Sequence, residues 1–257
     1  MLIDLNADAG EGFGPWRLGD DAALVRTLSS VNVACGFHAG DAEIMAATVA
    51  HAQAAGCEVG AHVGFPDLIG FGRRRMAIDG PAFANHVVYQ LGALAAIAAV
   101  AGHRVTHLSF HGALGDMAAE DEGLARVLVG AVAAFDRDLV ISTSPGTMTM
   151  RAARARGMRT VGIFAADRAY RPDGRLVSRA EPGAVIRDPA AVAARVLRLL
   201  DGGTVAAADG SAVAMPARTV MIHSDTADAA AIATRIRRAV EAAGGSIVPM
   251  SRLPSDA

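Results

Sequence analysis

The chain contains no lysine; all 24 of its Lys/Arg-class residues are arginine. This excludes Schiff-base chemistry and the phosphate-binding lysine of a P-loop, so the chain cannot hold ATP through a Walker motif. Cysteine is nearly absent. Cys35 and Cys57 lie in different apolar segments and read as small buried residues, a pattern that fits a reducing, cytoplasmic setting. No apolar run is read as approaching the roughly 20 residues that span a bilayer. Met1-Leu2-Ile3-Asp4-Leu5 has neither a basic n-region nor an h-region, so it reads as a first strand rather than a signal peptide. The formal net charge is −2 with no basic stripe, which argues against nucleic acid as the main partner.

What is present is apolar bulk and glycine. Apolar residues make up 52% of 257 positions, much of it alanine in helix-like stretches, which predicts closely packed outer helices. The length suits one α/β barrel, with 1–252 as a single domain and 253–257 as a loose tail. Strand patterns fall at 2–8, 31–36, 58–62, 105–111, 139–143, 160–165 and 219–223. Helical patterns fill the gaps at 20–28, 41–55, 82–101, 120–135, 147–156, 189–200 and 227–243. This alternation implies a mainly parallel sheet with right-handed crossovers. Residues 204–215 interrupt it as an expected β-hairpin, with Asp209-Gly210 as a type I′ turn.

Polar residues cluster at the carboxyl ends of the predicted strands. Asp8 ends the first, with Asn6 on the same face; His38 follows the second, His62 ends the third and His111 the fourth; Asp167 follows the sixth and Asp225 the seventh. Barrels place their chemistry at these ends, where the loops share one mouth. Glycines flank several of these residues, including Gly10 and Gly12 around Glu11, and permit close backbone approach. Taken singly, a strand-end histidine is more often structural than catalytic; the functional reading rests on convergence of the set. Asp20 and Asp41 read as helix caps, and His51, His86, His103 and His107 as structural.

The chain resembles the LamB/YcsF family, the A-type subunits of 5-oxoprolinase. The resemblance is carried by Asp4-Leu5-Asn6-Ala7-Asp8-Ala9-Gly10-Glu11-Gly12 and by Asn32-Val33-Ala34-Cys35-Gly36-Phe37-His38-Ala39-Gly40-Asp41. Further blocks are Gly60-Ala61-His62 with Phe71-Gly72-Arg73, His111-Gly112-Ala113-Leu114, Ala166-Asp167-Arg168 and Pro182-Gly183-Ala184. The resemblance implies a TIM-like (β/α)7 barrel of the glycoside hydrolase/deacetylase type. It also implies ATP-dependent opening of 5-oxoproline to glutamate together with B and C type subunits, the ATP being consumed by the complex. A homo-oligomer is compatible with this.

The chain departs from the family pattern at Val63-Gly64, at Ser109-Phe110 in place of Lys-Pro, at Gly115-Asp116, at Ile163 in place of Glu, and at Ser224. Within the lactam reading, Asp8, Glu11, His38, His62, His111 and Asp167 are the expected catalytic set. Asn6, Arg73, Arg168 and Asp225 are expected to bind substrate, with an arginine on a substrate carboxylate. Resemblance to deacetylases adds Asp8, His62 and His111 as candidate ligands of a divalent metal ion. Two alternatives stand beside this reading: a stand-alone metal-dependent deacetylase or amidohydrolase on the same barrel, and a non-catalytic binding subunit.

Overall fold

The structure, a computed structural model, describes residues 1–254. The chain begins β1 (Leu2–Ala9), α1 (Asp21–Val25), β2 (Ser30–Ala34), α2 (Ala42–Ala55), β3 (Glu58–Val63) and α3 (Gly80–Val100). It continues through β4 (Val105–Phe110), α4 (Gly112–Glu120), α5 (Glu122–Phe135), β5 (Val140–Thr143), α6 (Met148–Ala155) and β6 (Thr160–Ala165). After α7 (Pro189–Gly202) come β7 (Thr204–Ala206), β8 (Ala212–Ala214), β9 (Thr219–Ile222), α8 (Ala229–Ala242) and β10 (Ser246–Ile247). A last 3-10 turn covers Met250–Arg252.

Strands β1, β2, β3, β4, β5, β6 and β9 pair in parallel in that order, and β9 pairs back onto β1. The register Asp4↔Thr219 through Ala7↔Ile222 therefore closes a seven-stranded barrel with helices between its strands. Local sequence explains the helix ends. Asp41 accepts from Ile44 N at 3.0 Å at the start of α2, and Gly56 ends that helix at φ +66. Asp121 accepts from Leu124 N at 3.0 Å, so the helix expected over 120–135 is capped at its own start and a separate α4 precedes it.

Three details differ from expectation. The β7–β8 hairpin forms, but Gly210 alone has positive φ (+86) and donates to Ala207 O at 3.0 Å; type I′ needs positive φ at both central residues, so the expected turn type is corrected. Helix α3 carries no acidic residue or arginine over 21 residues and is long and apolar enough to cross a membrane, which corrects the reading that no run approaches that length. Its polar residues obscured the run, and in the barrel it buries Phe83, Val87, Leu91, Leu94 and Ala98 in the core. Leu253, at the head of the expected tail, is buried with Met250 against Val140 and Val161, while 255–257 lie outside the described residues.

Register makes the two halves of the barrel interior unlike. Paired residues of neighbouring strands face the same side, so Asp4, Asn6 and Asp8 share an inward face with Asn32, Gly60, His62, His107 and Ser109. Across the lumen the same layers carry Val140, Ile163, Ala165 and Met221. The amino-terminal end is closed by the last turn, where Ser251 N donates to Glu58 Oε2 at 3.1 Å.

Asp4 is the lowest of the inward carboxyls. Ser29 Oγ donates to it at 2.7 Å and Thr219 Oγ1 at 3.2 Å, with Ser30 Oγ as a third donor. Burial nonetheless outweighs these bonds and pushes its pKa from 3.8 up to about 7. A folded-state pKa above the unfolded one favours the native state at low pH, and that contribution is lost as pH rises through about 7. Asp4→Asn should remove the loss. Its unfolding free energy relative to wild type, measured in urea, should rise by on the order of 2–4 kcal/mol between about pH 4 and pH 8; an unchanged difference would show that Asp4 stays ionised.

Candidate active site

Strand β1 delivers Asp8 to the barrel mouth, and the glycine-rich turn after it delivers Glu11; both are buried. His62 stands near the end of β3, His111 just beyond β4 and His38 beyond β2, all buried. These five come together. His62 Nε2 lies 3.4 Å from Asp8 Oδ1, while His38 Nε2 and His111 Nδ1 lie 3.5 and 3.6 Å from Glu11 Oε1. The His38 and His111 rings stack with centroids 3.7 Å apart.

Hydrogen bonding fixes the tautomers. His111 Nε2 must donate to Phe71 O at 2.8 Å, because a carbonyl only accepts. That leaves His111 Nδ1 as an acceptor, and His62 Nε2 donates to it at 2.9 Å. Phe71 holds this position at φ +53, a left-handed conformation uncommon for a bulky side chain. Gly72 follows at φ +62 and must stay bare, since a Cβ there would come within 2.7 Å of His38 Cβ. On the other side Gln90 of α3 grips the Gly64 backbone, donating to its carbonyl at 3.1 Å and accepting from its N–H at 3.0 Å.

Burial depresses the pKa of both His38 and His111, and neighbouring imidazoles add to it. Burial works against ionisation of Glu11 too, but the surrounding histidines hold its carboxyl below the usual range. Glu11, His38, His62 and His111 offer four donor atoms within 4.8 Å of one another. Both ring nitrogens of His38 and Nδ1 of His62 are buried without a hydrogen-bond partner among the described residues. Buried polar atoms of this kind call for a ligand, and three imidazoles with one carboxylate suit a borderline divalent cation. The bond from His111 to Phe71 O is the outer-shell support such a ligand needs. Asp8, expected as a ligand, instead stands beside His62 and outside the four.

Asp8 is oriented from below. Asn32 Nδ2 donates to Asp8 Oδ1 at 3.0 Å and to Asn6 Oδ1 at 2.7 Å. Asn32 Oδ1 accepts from His107 Nε2 at 3.1 Å, and Thr106 Oγ1 donates to His107 Nδ1 at 2.9 Å. Burial pushes the His107 pKa down to about 3, so it is neutral, as this pattern requires. Asn6, expected to touch substrate, is a buried support one layer beneath the mouth.

A second group lies across the seam between β9 and β1. Asp167 accepts from His223 Nδ1 at 2.9 Å, from His223 N at 3.2 Å and from Thr226 Oγ1 at 2.5 Å. Burial alone would lower the His223 pKa, but the charge of Asp167 raises it above the ordinary value. Ser224, next in chain, donates to Glu11 Oε2 at 2.7 Å and joins the two groups. Arg73 and Asp225 do meet, at 2.7 Å, and Arg179 reaches the same carboxylate at 3.1 Å. Arg168 does not join them: it is buried and donates to Ala184 O and Val177 O, which makes it a brace for the loop after β6.

Sequence reasoning passed over Gln90, Asn32, His107, His223 and Arg179 as site residues. His223 ends a predicted strand and could have been found by the rule that singled out His111. Arg179 lies in a loop with no local signal.

The fold and the site define a parallel (β/α) barrel protein with a buried histidine–carboxylate centre at the carboxyl ends of its strands. The chain belongs to the LamB/YcsF family, whose sequence model matches residues 3–255. It is 54% identical over 253 residues to the first of the 5-oxoprolinase A-type subunits of Pseudomonas syringae pv. tomato, covering 98% of this chain and 99% of that protein. The crystal structure of the lactam utilization protein of Thermus thermophilus superposes with a TM-score of 0.92 at 42% identity, covering 97% of this chain and 100% of that one. The polysaccharide deacetylase Bc1974 of Bacillus cereus shares the fold alone, with a TM-score of 0.51 at 15% identity over 100% of this chain and 96% of that one.

Gly60 tests the support under Asp8. A Cβ there would lie 2.2 Å from the His107 ring, so Gly60→Ala must displace it. A cost of about 1–3 kcal/mol is expected in urea denaturation. Gly92→Ala on α3, where a Cβ meets nothing within 4 Å, should be neutral or stabilising by up to about 1 kcal/mol. Equal effects at the two sites would dismiss the role of His107.

Proposed function

We propose that this chain is the A-type subunit of a 5-oxoprolinase and hydrolyses the ring amide of 5-oxoproline, or of a close lactam, in an ATP-dependent complex with B and C type subunits. The observation that carries the reading is the joining, through Ser224, of the Glu11–His38–His62–His111 centre to the His223–Asp167 pair. Whole-chain similarity to proteins named as A-type subunits of 5-oxoprolinase supports the choice of substrate.

Opening a lactam breaks the bond between the ring carbonyl carbon and nitrogen, adds water to the carbon and gives a proton to the nitrogen. Phosphorylation of the amide oxygen by ATP releases ADP and makes that carbon more electrophilic; once water has added and the C–N bond has broken, the carbon is left as an acyl phosphate, which a second water hydrolyses to the carboxylate and inorganic phosphate. The chain's lack of a Walker lysine is compatible with a partner subunit supplying the nucleotide step. Asp8, its other oxygen left available by the single bond from Asn32, serves as base toward the attacking water. His223, held by Asp167 through Nδ1, serves through Nε2 as the acid for the departing nitrogen. Glu11, His38, His62 and His111 would hold a divalent cation, which when bound would polarise the carbonyl and acidify water.

Three measurements test this. Glutamate should be released from 5-oxoproline with the B and C type partners and ATP present, and release should stop when this chain is omitted. Release without ATP or partners would favour the stand-alone amidohydrolase, a reading the four-donor centre supports. Within the complex, Asp8→Asn and His223→Gln should each lower kcat by roughly 10²–10⁴-fold; full activity in either would remove that role. Titration of the chain with Zn2+ or Mn2+ by calorimetry should show one equivalent bound and its loss in His62→Ala; no binding to the folded chain would remove the cation.

A further inference from the structure

Two loops far apart in sequence end on one carboxylate at the barrel rim. Arg73, after β3, donates through Nη2 to Asp225 Oδ2 at 2.7 Å. Arg179, after β6, donates to the same carboxylate through Nη1 at 3.1 Å and Nη2 at 3.3 Å. Three of the ten N–H donors that two guanidiniums offer are thereby used, and one negative charge faces two positive ones. Asp225 is 15% exposed, whereas Arg73 and Arg179 are 36% and 25% exposed. The arginines thus border solvent with donors to spare.

Both arms are tied to the centre beneath. The Arg73 guanidinium lies 4.7 Å from the centroid of Phe71, whose ring packs edge-on against His38 and His111. Asp225 follows Ser224, which bonds Glu11. On both sides a single residue, Phe71 or Ser224, separates the rim from the Glu11–histidine centre. Resting on the lactam reading, we propose that Arg73 and Arg179 form a clamp for a carboxylate carried on the substrate ring, and that Asp225 occupies the clamp until substrate replaces it. Arg179 is then a specificity-determining residue, and ring amides without an acidic substituent are rejected. Planar guanidiniums suit this task because each can present two parallel N–H bonds to a carboxylate.

The test is a titration of the full chain, labelled with 15N-arginine, followed at the side-chain Nε–Hε signals. Assignment uses Arg73→Met and Arg179→Met, in which the methionine keeps apolar contact with neighbours. The probes are 5-oxoproline, 2-pyrrolidinone (the same ring without its carboxylate) and acetate. The proposal expects saturable shifts of the Arg73 and Arg179 signals with 5-oxoproline and none with 2-pyrrolidinone. Either Met variant should raise the Kd for 5-oxoproline at least tenfold, and Asp225→Asn should lower it by removing the competing carboxylate. Shifts with acetate but not with 5-oxoproline would keep the clamp and discard the lactam as substrate. Binding of 5-oxoproline with both arginine signals unmoved would keep the lactam and overturn the clamp. Silence with both anions would overturn it outright, a result that does not depend on either variant folding.

Discussion

Burial of charge-bearing groups in the barrel mouth is the constraint on which this structure turns. A carboxylate or imidazole withdrawn from water must find hydrogen bonds or an opposite charge, or it loses its charged form. The inner layers beneath the mouth answer that demand. Asn32 orients Asp8, His107 orients Asn32, and Thr106 fixes the tautomer of His107. Gly60 leaves the space that the His107 ring fills. Where protein atoms do not meet the demand, at His38 and His62, the unmatched nitrogens point to a ligand.

Closure of the barrel is what makes two groups into one site. Asp8 and His223 lie near opposite ends of the sequence, yet β9 pairs with β1, and the loop after β9 therefore arrives beside Glu11. The charge of Asp8 itself contributes to raising the His223 pKa, behind the larger effect of Asp167. The strained turn at Phe71 and Gly72 performs the matching task from β3 by supplying the carbonyl that orients His111.

Strand periodicity made the seven barrel strands legible, and strand ends made Asp8, His62 and His111 legible, because both depend on local order alone. Glu11 and His38 were legible from their glycine-flanked motifs. What the sequence did not disclose depends on register. Asn6 looked like a rim residue until pairing with Ser30 put it a layer lower, and Arg168 looked like a ligand arm until its bonds to Ala184 and Val177 became visible. Gln90 was hidden in an apolar helix whose pattern gives no hint that one amide faces Gly64. Helix α4 was missed, and its Gly115 is needed where a Cβ would pass within 2.5 Å of Phe110 O.

The asymmetry of the barrel interior gives the family departures a physical setting. Ser109 pairs with His62 and so faces the lumen on the polar wall, while Ile163 pairs with Thr219 and faces it on the apolar wall. A lysine at the first position would put a cation beside His62; a glutamate at the second would put a carboxyl near Asp4, whose pKa already stands at about 7 through burial. Serine and isoleucine avoid both. Most of the lumen's ionisable groups then lie on β1–β4, while Val140, Ile163, Ala165 and Met221 make the facing wall largely apolar, a setting in which a hydrogen bond or ion pair is strengthened by low dielectric.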